Sequence, residues 1–182
     1  MLTSHVQPFI KNTFPTERNI GGVTLESHVT TRAVQFLKRK RIPFEEVRYA
    51  HEEKGADFAA RAIGFPLEQT VKTLVVDLGH RKYCLALVPG DRRLDFKRLA
   101  ALFGVKRATL TDTVTAERLT GYLVGGISPF GTKHKLPAIL DEKVCSYDTL
   151  VVNGGQRGVM LKMTPKDIEM ALQCSVAALA RD

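Results

Sequence analysis

The stretch that decides the fold class is VKTLVVDLGHRKYCLALV, residues 71–88. Its two ends, residues 71–78 and 83–88, are apolar and rich in β-branched side chains, as buried strands are. The four residues between them are Gly79, His80, Arg81 and Lys82. Two apolar runs joined by so short a connection predict a β-hairpin whose strands enter the core.

Helix and strand signals alternate irregularly on both sides of this hairpin. Apolar spacing and capping residues predict helices over 31–41, 57–63, 94–103 and 113–119, and a last helix that begins at Thr164. Further strands are predicted over 44–49, 136–140, 149–152 and 159–163, and a long glycine-containing loop over 120–136. This order predicts a compact mixed α/β (α+β) fold, in which helices surround one bent, barrel-like mixed sheet.

Length and composition restrict the class of protein. The 182 residues are 44% hydrophobic and 25% charged, which is typical of one globular domain. The three cysteines are far apart in sequence, which argues against a secreted disulfide framework and favours the cytoplasm. No apolar stretch approaches the ~18 residues of a membrane span, so no membrane association is expected. We divide the chain into an N-terminal extension, residues 1–28, and one domain, residues 29–182.

The charge balance suggests a polyanionic partner. Lysine and arginine number 27 against 19 acidic residues, a net charge of +8. Residues 81–107 hold eight basic residues and two acids, and residues 38–41 form a second basic cluster. Lys97 and Arg98, on the helix predicted over 94–103, are candidate contacts to nucleic acid, although a solvated basic surface would have the same composition.

Several kinds of chemistry have no local support in the sequence. None of the five histidines forms a local ligand pair with another, and there is no Cys-x-x-Cys motif, so no metal and no cofactor are expected. Cys84, Cys145 and Cys174 have neither a glycine-rich nor a histidine-containing neighbourhood, which favours small buried side chains over a thiol nucleophile.

Two diglycines and one lysine remain as candidates for chemistry. Gly125-Gly126 and Gly154-Gly155 could adopt positive φ and leave backbone N–H groups free to bind an oxyanion, or they could simply form tight turns. Lys72 lies at the start of the most apolar strand. Such a lysine is either an edge residue whose stem covers apolar surface or a cation that points into a cleft.

These features occur in an order that resembles the YbaK/EbsC family of aminoacyl-tRNA editing domains. The resemblance covers residues 30–182, and its specific part is the glycine-rich stretch together with the lysine strand. Its motifs are Tyr49, Phe58, VKTL (71–74), LDFKRLA (94–100), TGYLVGGISPFG (120–131) and NGGQRG (153–158).

The resemblance implies hydrolysis of the ester between an amino acid and the terminal ribose of a tRNA. Lys72 matches the essential lysine of the family, and with Gly125 and Gly126 it is the predicted catalytic group. The predicted substrate-binding residues are Tyr49, Phe58, Ile127, Ser128, Pro129, Asn153, Gly154, Gly155 and Met160. The predicted tRNA-binding residues are Lys97, Arg98 and Arg157.

The function predicted in this way is that of a trans-acting deacylase for mischarged tRNA(Pro), with Cys-tRNA(Pro) as the first substrate. The expected partners are the acceptor end of the tRNA and a prolyl-tRNA synthetase. Either the thiol of the substrate or a water attacks the ester. Met160 and Asn153 stand where the well-known deacylase of the family has an acid and a serine, so two alternatives remain: a deacylase for another small residue such as alanine, and a non-catalytic module that binds tRNA or a synthetase.

Overall fold

The computed structural model describes residues 30–50 and 55–181, so the predicted extension over residues 1–28 lies outside the described residues. The helices are α1 (Arg32–Lys40), α2 (Ala56–Ile63), α3 (Phe96–Leu102), α4 (Thr113–Thr120) and α5 (Pro165–Leu172), with short 3-10 helices at Leu67–Gln69 and Glu142–Ser146. The strands are β1 (Glu45–Arg48), β2 (Thr70–Asp77), β3 (Tyr83–Pro89), β4 (Arg93–Leu94), β5 (Thr109–Leu110), β6 (Ala138–Asp141), β7 (Leu150–Asn153), β8 (Val159–Met163), β9 (Ser175–Ala177) and β10 (Ala180–Arg181).

The predicted hairpin is confirmed and occupies the middle of a mixed sheet. β2 and β3 pair antiparallel, with Val71 opposite Pro89 and Asp77 opposite Tyr83. The strands follow the order β1-β8-β7-β2-β3-β6-β9, and β5 also pairs with β2. The β2–β7, β3–β6 and β6–β9 pairs are parallel. The mixed α/β class predicted from the sequence is therefore confirmed.

Burial on both faces explains why the second strand of the hairpin is apolar throughout. Leu85 and Leu87 belong to the larger core, which includes Phe130 from the long loop. Ala86 and Val88 point to the other side and pack in a second core. A strand covered on both faces has no polar positions to alternate with, so it forms a continuous apolar run.

Side-chain caps fix the helix starts where the sequence signals predicted them. Thr31 accepts a hydrogen bond from the Val34 N–H, and Asp112 accepts one from the Thr115 N–H at 2.8 Å. The helix predicted over 94–103 begins later, at Phe96. Its cap is Asp95, whose side chain accepts from two backbone N–H groups, while β4, just before it, pairs with β10. None of the helices in the described ranges is long and apolar enough to cross a membrane.

Candidate active site

A cavity of about 400 Å³, the central cavity, opens beside β2 and brings part of the predicted site together. Its walls come from β2, α2, α4, the ends of β7 and β8, and residues 121–131, which we call the glycine loop. Of the predicted site residues, those that line it are Tyr49, Lys72, Gly125, Ile127, Asn153 and Met160. Residues from five distant segments of the chain therefore meet at one place.

Lys72 is a half-buried cation in the wall of this cavity. Its Nζ donates a hydrogen bond to the backbone carbonyl of Arg92 at 2.5 Å. Burial lowers the pKa of Lys72, while the charges of Asp57 and Asp91 act in the opposite direction. An ammonium group has three N–H donors, so two remain for a bound substrate. Lys72 therefore both holds the chain after β3 and presents charge to the cavity.

The glycine loop is held rigidly at Val124 and Gly125. The Val124 N–H donates to Glu117 Oε1 at 2.9 Å, and the Arg157 guanidinium donates to the Val124 carbonyl at 2.8 Å. Asn153 Nδ2 donates to the Gly125 carbonyl at 3.4 Å. With its carbonyls taken up by neighbours, the loop keeps its backbone N–H groups in a fixed orientation, which is what stabilisation of a developing charge requires.

The N–H groups available for an oxyanion differ from those expected at the diglycine. The Gly126 N–H is used within the loop, where it donates to the Leu123 carbonyl at 2.9 Å. The N–H groups of Gly125 and Ile127 have no acceptor among the described residues, and both residues line the cavity. The unpartnered donors therefore lie on either side of Gly126, and the catalytic role predicted for Gly126 stays a prediction.

The positive φ expected of the diglycine belongs to Gly125, at 91°, and not to Gly126. Gly126 is required for another reason: a Cβ there would lie 3.0 Å from the Arg157 backbone nitrogen. The turn that follows β7 thus packs directly against the loop backbone. Gly126 permits this close approach and in this way positions its neighbours.

The second diglycine does not line the cavity but packs against elements that support it, and its predicted part in substrate binding stays a prediction. The Gly154 carbonyl accepts from Thr31 Oγ1 at 2.5 Å. Gly155 has a φ of 92°, and a Cβ there would lie 2.7 Å from the Tyr122 ring. Tyr122 in turn donates its hydroxyl to the Phe130 carbonyl at 2.6 Å. The turn and the glycine loop are thereby packed together.

Ser128, Pro129 and Phe58 are also absent from the cavity lining, so their predicted part in substrate binding stays a prediction. Ser128 and Pro129 are buried, and Ser128 Oγ accepts from the Phe130 N–H at 3.3 Å. The Phe58 ring packs on Tyr49, with ring centroids 6.1 Å apart. Phe58 thus supports the cavity-lining Tyr49.

One end of the central cavity is apolar. Met160 is buried and packs with Ala59 and Val151. Ala59 lines the cavity too, and no pattern in the sequence distinguishes it from other core residues. Thr73 was missed for the same reason. It lines the cavity, and its Oγ1 is buried without a hydrogen-bond partner in the described part of the chain.

The lining provides little for general acid–base or nucleophilic catalysis. Among the lining residues that the structure describes, the titratable ones are Lys72 and Tyr49, and there is no carboxylate, imidazole or thiol. Burial raises the pKa of Tyr49, so its hydroxyl stays protonated. No cluster of three metal-ligating side chains occurs within residues 30–50 and 55–181. The described lining thus favours water or part of the substrate as the attacking group.

The cysteines do not line the cavity, and their thiols do not readily ionise to thiolates. Burial raises the pKa of Cys84 to about 12 and that of Cys174 to about 11. The pKa of Cys145 is also raised, chiefly by burial. Because the thiolate is the nucleophilic form, none of the three has the properties of a catalytic cysteine.

We expect Cys84→Ala, Cys145→Ser and Cys174→Ser each to keep more than about half of the wild-type deacylation rate. Alanine is used at Cys84 because a serine hydroxyl at this fully buried position would cost about 1–3 kcal/mol of stability. Single-turnover rates and circular dichroism are measured on the same samples. A large loss of rate in a stable variant would point to a covalent enzyme intermediate.

The basic residues over 81–107 do not form one surface. Arg81 precedes β3 and Arg92 follows it, so a seven-residue strand, ~23 Å long, separates them. Lys97 is exposed on α3. Arg98 pairs with Asp95, Nε to Oδ2 at 3.6 Å, and donates to the Ala180 carbonyl. None of these four residues lines the central cavity, and Arg157 is tied to the glycine loop, so any contact of theirs with tRNA lies outside the cavity.

Comparison with known proteins agrees with the site. The family model described as the aminoacyl-tRNA editing domain matches residues 51–171. A protein of Enterococcus faecalis, EbsC, to which Cys-tRNA(Pro)/Cys-tRNA(Cys) deacylase activity is ascribed, is 31% identical over 76% of this chain and 85% of its own. The multifunctional Ser/Thr-tRNA deacylase ProXp-y of Escherichia coli is 30% identical over 81% of this chain and 88% of its own.

A solved structure has the same architecture. A crystal structure described as that of a trans-editing enzyme for prolyl-tRNA synthetase superposes with a TM-score of 0.77 and 30% sequence identity. The superposition covers 83% of this chain and 96% of that chain. Fold, site and relatives define a hydrolase of aminoacyl-tRNA ester bonds, an aminoacyl-tRNA deacylase whose substrate is mischarged tRNA. The chain belongs to the aminoacyl-tRNA editing domain family.

Proposed function

We propose that residues 29–182 act in trans to hydrolyse the ester of mischarged tRNA(Pro), with Cys-tRNA(Pro) as the preferred substrate. The observation that carries this proposal is the meeting of Lys72 with the unpartnered N–H groups of Gly125 and Ile127 in one cavity whose described lining holds no carboxylate, imidazole or thiol. An aminoacyl ester is already activated. It needs its geometry fixed and the charge on its carbonyl oxygen stabilised rather than a strong base.

In the mechanism that we favour, the ester carbonyl faces the glycine loop. The N–H groups of Gly125 and Ile127 stabilise the oxyanion, and the Lys72 ammonium anchors the acceptor end and adds positive charge beside the developing oxyanion. For a cysteinyl ester, the substrate sulfur bonds to the carbonyl carbon, the bond from that carbon to the ribose oxygen breaks, and the thiol proton ends on the ribose hydroxyl. Water then opens the resulting thiolactone to cysteine. For other esters, water attacks directly.

The choice of amino acid rests on two side chains of the lining. The Thr73 hydroxyl is buried and has no partner in the described chain; a rotation of its side chain into the cavity would pair it with a substrate thiol or hydroxyl, which the methyl group of alanine cannot offer. Met160, in place of an acid, favours the less polar of these side chains, the thiol. Serine and threonine are the second candidates, because ProXp-y acts on Ser- and Thr-tRNA and the hydroxyl would also pair with Thr73.

The test compares tRNA(Pro) charged with cysteine, serine, alanine and proline under single-turnover conditions. We expect cysteine to be released fastest and proline to be left in place. Faster release of alanine than of cysteine would contradict the role of Thr73. Release of proline at a similar rate would contradict editing altogether.

We further propose that the protein acts in the cytoplasm on tRNA released by a prolyl-tRNA synthetase. The support is the resemblance to a structure described as a trans-editing enzyme for that synthetase. A purely binding module is less well supported, because it would have no need of Lys72 in the cavity or of a loop clamped at Val124.

Replacement of Lys97 and Arg98 by alanine tests the predicted contact of α3 with tRNA. A neutralised phosphate contributes roughly −0.7 to the log–log slope of affinity against salt for a single strand, so the slope should become shallower. KM should rise while kcat stays nearly constant, because these contacts are equal in the ground and transition states. Binding of tRNA(Pro) is measured at three salt concentrations. An unchanged slope and affinity would remove α3 from the tRNA surface.

A further inference from the structure

A second cavity, the basic cavity, lies at the other end of α4 and is lined largely by cationic side chains. Its volume is about 610 Å³, and its polar lining consists of Arg81, Tyr83, Arg118, His134 and Lys135. No aspartate or glutamate of the described chain lines it, and it shares no lining residue with the central cavity. This concave surface therefore concentrates positive charge.

The cations of the basic cavity are not neutralised by the fold. The side chains of Arg81, Arg118 and Lys135 are exposed and make no ion pair or hydrogen bond with any residue in the described ranges. Two of the basic side chains discussed above are engaged within the fold instead: Arg98 pairs with Asp95, and Arg157 holds the glycine loop. Several unpaired cations around one concavity repel each other and attract an anion that contacts them together.

The backbone holds these cations in place. Arg81 and His80 adopt left-handed conformations, with φ of 59° and 52°, in a turn closed by the Lys82 N–H to the Gly79 carbonyl at 2.9 Å. On the opposite side, the His134 N–H donates to the Leu119 carbonyl at 2.9 Å, which fixes the segment of Lys135 against the end of α4. Both walls are thus anchored to regular elements.

The two cavities lie at opposite ends of helix α4. Thr113 and Ala116, in its first half, line the central cavity, whereas Arg118 and Leu119, in its second half, line the basic cavity. The helix has eight residues and is therefore about 12 Å long. A polyanion whose end lies in the central cavity could reach the basic cavity within a few nucleotides.

We propose that the basic cavity binds phosphates of the RNA backbone in the acceptor arm, while the aminoacylated end of the same RNA occupies the central cavity. This inference rests on the proposed function. Guanidinium groups suit phosphate recognition because their planar donors match two phosphate oxygens at once. The contact is made to the backbone, so it contributes affinity and register without reading sequence.

The test uses the double variant Arg118→Ala/Lys135→Ala and the full chain. We expect its affinity for uncharged tRNA(Pro) to fall several-fold and its log–log salt slope to become shallower by about 1 per side chain removed. The matched control is Lys38→Ala/Arg39→Ala, which removes the same charge from exposed positions of α1 and should leave slope and affinity near wild type. Circular dichroism verifies the fold of both variants.

A second substrate separates this inference from the proposed function. The cysteinyl ester of adenosine reaches the central cavity but has no acceptor arm, so Arg118→Ala/Lys135→Ala should hydrolyse it at the wild-type rate. An unchanged tRNA affinity and slope in this variant would overturn the phosphate site, as would an equal loss in the control. Loss of adenosine-ester turnover would also overturn it. If wild-type protein hydrolyses neither ester while the slope responds as expected, only the proposed function fails.

Discussion

Lys72→Ala should lower the single-turnover rate of Cys-tRNA(Pro) deacylation by about 10²–10³-fold, the usual effect of removing one group that stabilises a developing charge. The fold should persist, because the side chain is only half-buried and gives up one hydrogen bond, to the Arg92 carbonyl, worth about 1 kcal/mol. The loss should appear in kcat more than in KM if the ammonium acts in the transition state. Rate and circular dichroism are measured together.

Two further lysine variants make this result specific. Lys72→Met keeps the apolar stem and removes the charge, so it should be as inactive as the alanine variant. Lys162→Ala removes another lysine of the same sheet, which pairs with Glu45 at 3.6 Å and does not line the central cavity, and it should stay active. Wild-type turnover in folded Lys72→Met would show that the lysine only covers apolar surface.

Gly126→Val should reduce deacylation by at least about 10-fold and destabilise the protein by about 1–3 kcal/mol, the usual cost of forcing extra atoms into a packed site. Its Cβ would lie 3.0 Å from the Arg157 nitrogen and 3.2 Å from the Gln156 carbonyl carbon. Both atoms are backbone, so the turn and the loop must separate. The N–H groups of Gly125 and Ile127 then move away from the ester. The measurements are kcat and thermal unfolding.

The matched control for Gly126→Val is Gly104→Ala, after α3. Gly104 has a φ of 62°, and no atom lies within 4 Å of its added Cβ. This variant carries backbone strain without a clash near the cavity, so it should lose some stability and no activity. Full activity of Gly126→Val would mean that the loop and the turn do not need their close contact.

Local signals made much of the fold predictable. The hairpin β2–β3 combines two apolar strands with a short turn, and the helix starts at Arg32 and Thr113 follow capping side chains adjacent in sequence. The sequence prediction places the start of α3 at Leu94, two residues too early, and the reason is again a local capping residue. Asp95 caps the helix one residue after Leu94, so a residue that fits the apolar helical spacing belongs to a strand instead.

The site was only partly predictable because its decisive contacts are distant in sequence. The need for glycine at position 126 arises from the backbone of Arg157, and the apolar end of the cavity joins Ala59 with Met160. Neither contact leaves a periodic or spacing signal. The basic residues over 81–107 are the opposite case: they are close in sequence, but β3 separates some of them in space.

The most direct test of editing activity is the rate at which the wild-type protein releases cysteine from Cys-tRNA(Pro), compared with the rate of spontaneous hydrolysis. The affinity for uncharged tRNA(Pro) is measured on the same protein. A catalytic cavity built around Lys72 predicts acceleration of at least about 10²-fold over spontaneous release, since positioned donors alone supply this much. Tight binding of tRNA(Pro) without acceleration for any charged amino acid would contradict catalysis and identify the chain as a binding module.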